Sequence, residues 1–201
     1  MPEHIMVFDL GKVLLDFDYA IALRRIAERD GLDPAPLQAI LGYTPLLLAY
    51  EEGQVSTTEF HRAFSERTGY QRTLNQFRAD FADIFSPIAP MIELQRRCQE
   101  AGHATYIFSN TNELAVEFIR AHYAFFQNFT GHILSYECRA LKPAPGMYET
   151  LEKLTGHTGG RFVYLDDRPE NIEAAWQRGW HALIHQDPPA SIEFIQQFLG
   201  K

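Results

Sequence analysis

The sequence predicts an α/β protein, a Rossmann-like parallel sheet with helices on both faces and an α-helical cap inserted after the first strand. Three observations carry that expectation. From about residue 89 onward, short apolar runs rich in strand formers alternate with amphipathic helical patterns, the rhythm of a parallel sheet with crossover helices. Between the first apolar run and residue 89 the pattern is almost wholly helical. A chain of 201 residues can hold one core and a small insertion but not two full-sized domains. The expected division is a discontinuous core of residues 1–16 and 89–201 and a cap of residues 17–88.

The elements follow in order. His4-Ile-Met-Val-Phe-Asp9 reads as a buried strand that delivers a carboxylate to a loop at Gly11. Tyr19 to Asp30 gathers Ile21, Ala22, Leu23, Ile26 and Ala27 largely on one helical face, and Gly31 suits the stop. Pro34 to Tyr50, uncharged but interrupted by prolines and polar residues, reads as a cap or core segment rather than a bilayer span. Ser56-Thr-Thr-Glu59 is a capping-box pattern, predicting a helix from Ser56 to about Gly69. Asn75 to Phe85 is expected to be a further helix, with Phe77, Phe81 and Phe85 four residues apart.

Past Pro87 the expected order is helix 91–101, strand 104–108, helix 113–123, strand 132–134 and helix 145–154. Strand 161–165, helix 169–178, strand 181–184 and helix 192–199 complete it. Trp176 and Trp180, flanking Gly179, are both expected in the core.

Composition excludes several classes. The net charge is −8 and no run of Lys and Arg appears, so a nucleic-acid backbone is not the expected partner. The opening MPEHIMVFDL shows neither a basic leader nor a long apolar region, and no stretch suits a membrane span. The two cysteines, Cys98 and Cys138, are far apart, which argues against a disulfide scaffold and for a cytoplasmic setting. His181 and His185 lack a third ligand nearby, so zinc is not expected there.

In open α/β sheets ligands bind outside the carboxyl ends of the strands. Asp9, Ser109-Asn110-Thr111 and Asp166-Asp167 all fall there, and Lys142 lies in the loop Ala140-Leu-Lys-Pro143. Each alone has an ordinary reading as a turn, cap or solvated charge. Their joint order suits a hard divalent cation beside a phosphoryl group, with the ammonium and hydroxyl holding the remaining oxygens.

At these residues the sequence resembles the haloacid dehalogenase-like hydrolase superfamily. The matching segments are VFDLGKVLLDFD, IFSNTN, LKPAPGMY and YLDDRPENIEAAWQRGW, spanning Val7 to Trp180. The resemblance is nearest to small helical-capped sugar-phosphate phosphatases of the α-glucose-1-phosphate phosphatase kind. It implies that Asp9 attacks phosphorus and becomes an aspartyl phosphate, that Ser109 and Asn110 bind phosphoryl oxygen, and that Lys142 neutralises charge. It also implies Mg²⁺ held by Asp9, the Gly11 carbonyl and the Asp166-Asp167 pair. The implied partner is a small phosphorylated metabolite.

One position departs from that pattern. Family phosphatases commonly carry a second Asp two residues after the nucleophile, where this chain has Gly11. General acid–base assistance contributes roughly 10²–10⁴-fold, so its loss weakens catalysis without necessarily abolishing it. Asp16 or Asp18, leading into the cap, is a candidate replacement acid, although LLDFD also reads as a capped helix entry. The alternatives are a catalytically weak metabolite-binding or regulatory protein, and a haloacid dehalogenase, whose chemistry needs no metal. The cap is expected to choose the substrate, with Tyr43, Tyr50, Glu51, His61, Arg24 and Arg25 as candidates.

Overall fold

The structure, a computed structural model, describes residues 4–41, 44–81 and 83–200. Strand β1 (Ile5–Phe8) is buried along its whole length because both its faces are covered. A second strand, β2 (Leu15–Phe17), follows the loop at Gly11. Five helices come next: α1 (Tyr19–Asp30), α2 (Pro34–Leu41), α3 (Pro45–Glu51), α4 (Thr57–Thr68) and α5 (Leu74–Asp80). Strand β3 (Phe85–Pro87) then leads into α6 (Ala89–Glu100), β4 (Ala104–Ser109) and α7 (Glu113–His122). After a 3-10 turn come β5 (Gly131–Leu134), the short α8 (Ser135–Cys138) and α9 (Pro145–Thr155). The chain ends with β6 (Phe162–Asp166), α10 (Pro169–Gln177), β7 (His181–Ile184) and α11 (Pro188–Leu199).

The main sheet has the order β5-β4-β1-β6-β7, with every neighbouring pair parallel. Strand alternation divides its side chains between two apolar layers. Met6 and Phe8 pack with Met91, Leu94, Val116, Ile119 and Ile195, so α6, α7 and α11 cover one face. Ile5 and Val7 pack with Met147, Tyr148, Leu151, Ile172 and Ala175, so α9 and α10 cover the other. The expected Rossmann-like architecture is therefore the observed one.

Helices α1 to α5 bury their apolar faces mainly against one another, around Phe60, Phe64, Tyr70 and Phe77. The capping box at Ser56 and Glu59 starts α4 as expected, and a second one at Thr73 and Gln76 starts α5. This helical segment leaves and rejoins the rest of the chain through an antiparallel pair, Leu15 opposite Pro87 and Phe17 opposite Phe85.

That pair corrects one expectation. The helix expected over 75–85 stops at Asp80, and Phe85 lies on β3. Helical spacing of phenylalanines continued past the helix, but Phe85 is held by strand pairing and by stacking on Phe118. Trp176 is a second correction, being 54% exposed while Trp180 is buried. The Trp176 indole N–H donates to the Ala182 carbonyl, which holds the ring at the surface between α10 and β7. Among the described residues no helix is long and apolar enough to cross a membrane.

Candidate active site

Parallel strands β1, β4 and β6 end side by side, and their terminal residues bring Asp9, Ser109 and Asp166 to one rim. All three are buried, as is Lys142. The Asp9 Oδ1 accepts the Leu10 N–H at 2.7 Å and lies 3.2 Å from the Lys142 ammonium. Among the described residues no hydrogen bond engages Asp9 Oδ2. Burial pushes the Asp9 carboxyl up to about 7, against the pull of Lys142 and with the push of Asp166 and Asp167.

Lys142 is held from several sides. Its ammonium donates to the Phe108 carbonyl at 2.7 Å and to Asp166 Oδ2 at 2.6 Å, and contacts the Tyr164 hydroxyl at 3.1 Å. Burial works against its charge, but Asp166 and Asp9 outweigh burial and raise its proton affinity. Asp166 is itself fully engaged. Its Oδ2 also accepts from Tyr164, and its Oδ1 accepts from the Arg168 N–H at 2.8 Å and the Asn171 amide at 2.9 Å. Asp167 is less buried and its carboxyl is pushed up, first by burial and then by Asp166.

The carboxylates of Asp9, Asp166 and Asp167 lie within 4.8 Å of one another, a group that could hold a metal ion. One ammonium stands against three acidic groups, so a cation would relieve the repulsion. Asn171 Oδ1 is buried without a hydrogen-bond partner on the wall of the same cavity. An oxygen-only donor set of this kind fits a hard divalent cation.

A cavity of about 260 Å³ opens over this rim. Its walls include Asp9, Gly11, Ser109, Lys142 and Asp167 from the expected set, and Glu51 from α3. Asn110 lines the same cavity, and its side chain is also tied to the lysine loop. Its amide donates to the Lys142 carbonyl at 3.0 Å and accepts the Lys142 N–H at 2.8 Å, so it braces the lysine loop.

Asp16 does not reach the cavity. On a strand successive residues point to opposite faces, so with Leu15 and Phe17 on the cavity wall Asp16 turns to solvent. There it pairs with the Lys12 ammonium, whose hydrogen bond holds its carboxyl below the usual range. Asp18 caps α1 by accepting the Ala20 N–H at 2.8 Å. Gly11 has a simple steric reason: a Cβ there would meet the Phe17 ring at 2.8 Å. The Tyr50 hydroxyl bonds Thr57 and the Leu114 N–H, His61 bonds the Arg72 carbonyl, and Arg24 is exposed. Tyr43 lies outside the described residues.

Several supporting groups were not expected from the sequence. Tyr164 and Asn171 are the most direct, flanking Asp166 from β6 and from the first turn of α10. Strand alternation offered a signal, since Tyr164 and Asp166 are two apart and share a face of β6.

Residues 4–177 match the family of haloacid dehalogenase-like hydrolases. The chain belongs to the haloacid dehalogenase-like hydrolases. Within this family the chain is 22% identical, over 187 residues, to the D-ribitol-5-phosphate phosphatase of Bacteroides thetaiotaomicron, covering 87% of this chain and 88% of that protein. A predicted HAD-like family hydrolase from Porphyromonas gingivalis superimposes with a TM-score of 0.82 at 20% identity, covering all of both chains. A HAD family enzyme from Bacteroides thetaiotaomicron, solved with magnesium and inorganic phosphate, gives a TM-score of 0.80 at 20% identity over 92% of this chain and 96% of that one. At these identities the likeness to solved structures of the family establishes the fold.

Proposed function

We propose that the protein is a Mg²⁺-dependent phosphoric monoester hydrolase acting on a small phosphorylated metabolite, of the sugar-phosphate or polyol-phosphate class, through an aspartyl phosphate on Asp9. The observation that carries this reading is the rim itself: three carboxylates within 4.8 Å, one buried ammonium beside them, and a cavity above. The similarity to a D-ribitol-5-phosphate phosphatase supports the substrate class, and the magnesium and phosphate in a structural relative support the cofactor.

Asp9, the Gly11 carbonyl and Asp167 would hold Mg²⁺ directly. Asp166, whose oxygens are occupied by Lys142, Tyr164, Arg168 and Asn171, would act mainly by fixing Lys142. The bound ion would supply charge neutralisation for the phosphoryl oxygens and favour the ionised form of Asp9. Lys142 neutralises charge on the nucleophile and the phosphoryl group, and Ser109 donates to a phosphoryl oxygen. Asn110 contributes by keeping the Lys142 backbone in place. Residues 17–88 form the cap that excludes water, and residues 1–16 with 89–201 form the catalytic core. The free thiols Cys98 and Cys138 fit a reducing cytoplasm.

A panel of sugar and polyol phosphates, with p-nitrophenyl phosphate beside them, tests this reading. Phosphate release is expected with Mg²⁺ and lost on chelation and in Asp9→Asn. Release unchanged by Asp9→Asn overturns the mechanism. If no ester turns over and no acyl phosphate can be trapped, a binding or regulatory role replaces the enzyme.

A further inference from the structure

The rim contains a nucleophile and a phosphate-neutralising lysine but, with glycine at position 11, no acid where the leaving oxygen must be protonated. Two features single out a substitute. Glu51, at the end of α3, lines the same cavity as Asp9. The backbone that carries it is fastened to the core beside the loop after β4. The Ser135 hydroxyl lies 2.6 Å from the Glu51 carbonyl and 3.0 Å from the Thr111 carbonyl, and accepts the Thr111 N–H at 2.9 Å. Two residues on, Gly53 has φ of +71° and sits so close to α8 that a Cβ would lie 2.2 Å from the Tyr136 carbonyl oxygen. One hydroxyl thus ties the Glu51 backbone to Thr111, and one glycine contact seats the following turn on α8.

We propose that Glu51 is the general acid–base residue of the active site, replacing from the cap side the carboxyl group that position 11 lacks. The proposal rests on the phosphatase reading above. In the first half-reaction an Asp9 oxygen forms a bond to phosphorus while the bond from phosphorus to the leaving oxygen breaks. The Glu51 carboxyl gives its proton to that oxygen, releasing the alcohol and leaving a Glu51 carboxylate and an aspartyl phosphate. In the second, the Glu51 carboxylate takes a proton from water as the water oxygen bonds to phosphorus. The bond from Asp9 to phosphorus breaks, inorganic phosphate leaves, and both residues return to their starting state.

The environment suits the task. Burial pushes the Glu51 carboxyl up to about 7, with Arg168 pulling in the opposite direction. A group balanced there can both give and take a proton near neutral pH. Besides Arg168, the other charged groups lining this cavity among the described residues are Asp9, Lys12, Lys142 and Asp167. Lys142 is committed to Asp9 and Asp166.

The test compares wild type, Glu51→Gln, Glu51→Asp and Asp9→Asn by rapid mixing with two Mg²⁺-saturated substrates, p-nitrophenyl phosphate and a polyol phosphate. Their leaving groups differ in how much protonation they need. Glu51→Gln should release the first equivalent of p-nitrophenol within about fivefold of the wild-type rate and then stall with acyl phosphate accumulated. Its first turnover of the polyol phosphate should fall roughly 10²-fold, in keeping with the usual size of acid–base assistance. Glu51→Asp should recover part of that loss. Equal losses on both substrates in the first turnover, or no loss on either, would overturn the assignment. Asp9→Asn separates the two levels: wild-type activity that survives it removes the phosphatase mechanism, whereas activity abolished by it leaves only Glu51 in question.

Discussion

Two regions of the molecule bury carboxylates, and they balance them differently. In the cap, Asp80 is buried and takes Arg29 on both oxygens with the Tyr70 hydroxyl at 2.7 Å, while Asp30 pairs with Arg29 and Arg72. Hydrogen bonds from Arg29 and Arg72 hold the Asp30 carboxyl far below its ordinary range. Two acids there meet two guanidiniums. At the rim, three acids gather around one buried ammonium, with Arg168 acting on Asp167, and burial pushes the Asp9 carboxyl up to about 7. The same side chain is thus held by matched charge in one region and, on the proposed reading, left for a cation and a phosphoryl group to complete in the other.

The largest test removes the buried ammonium that Asp9 and Asp166 share. Lys142→Met leaves Asp9 and Asp166 facing each other without their shared partner. Breaking a buried ion pair by deleting one member costs about 3–5 kcal/mol, and losing a transition-state donor costs roughly 10²–10³-fold in turnover. Urea unfolding of the metal-free variant and phosphate release should show both losses. A variant within tenfold of wild-type activity would mean that Lys142 is only a packing cation.

Next in size is the response to Mg²⁺. An ion that binds only the folded protein stabilises it by about 2.7 kcal/mol at a hundred times its Kd. Thermal unfolding with and without Mg²⁺ should show that shift in wild type and in a cap variant such as Asp80→Asn, but not in Asp9→Asn. A shift that survives Asp9→Asn would place the ion elsewhere.

The two carboxylates themselves should then respond with opposite signs. Asp80→Asn leaves Arg29 and Tyr70 poorly matched and is expected to cost about 1–3 kcal/mol without abolishing turnover at low temperature. Asp9→Asn should stabilise the metal-free protein. The folded state keeps the Asp9 proton up to about pH 7, whereas the ordinary carboxyl value is 3.8. The stability contributed by protonated Asp9 is therefore complete below that lower value and is lost as pH rises toward 7. The advantage of Asp9→Asn should be largest above pH 7, on the order of 1–3 kcal/mol, and shrink toward pH 4. A destabilised Asp9→Asn at pH 8 would break the contrast with the cap.

How legible these regions were depends on what each element answers to. The sheet and its rim were readable because Asp9, Ser109 and Asp166-Asp167 each end an apolar run, and a parallel sheet must bring such ends together. The short strands β2 and β3 were not, since three residues cannot display a period and their pairing joins positions that are far apart in sequence. Phe85 continued a helical spacing, yet its place is set by Phe17 opposite and Phe118 beside it. Asn110 read as a phosphate ligand from its neighbourhood, and the geometry adds what the sequence could not show, that its amide also bonds the Lys142 backbone. Glu51 was one of several polar residues of the helical insertion, and only the structure shows it lining the cavity with its backbone carbonyl bonded to Ser135.

The smallest expected effect tests where the rim ends. Asp16 lies in the first motif only seven residues after Asp9, yet strand alternation turns it outward, and its side chain is 60% exposed beside Lys12. An ionised, solvent-screened carboxylate has no proton to give at neutral pH, and its ion pair is worth no more than about 0.5 kcal/mol. Asp16→Asn should therefore leave polyol phosphate turnover within about twofold and thermal unfolding nearly unchanged, where Glu51→Gln loses roughly 10²-fold. A loss of tenfold or more in Asp16→Asn would mean that β2 rotates during turnover to bring this carboxyl inward. The acid would then belong to the strand that enters the cap, and Glu51 would have to be reassigned to holding the hydroxyls of the substrate.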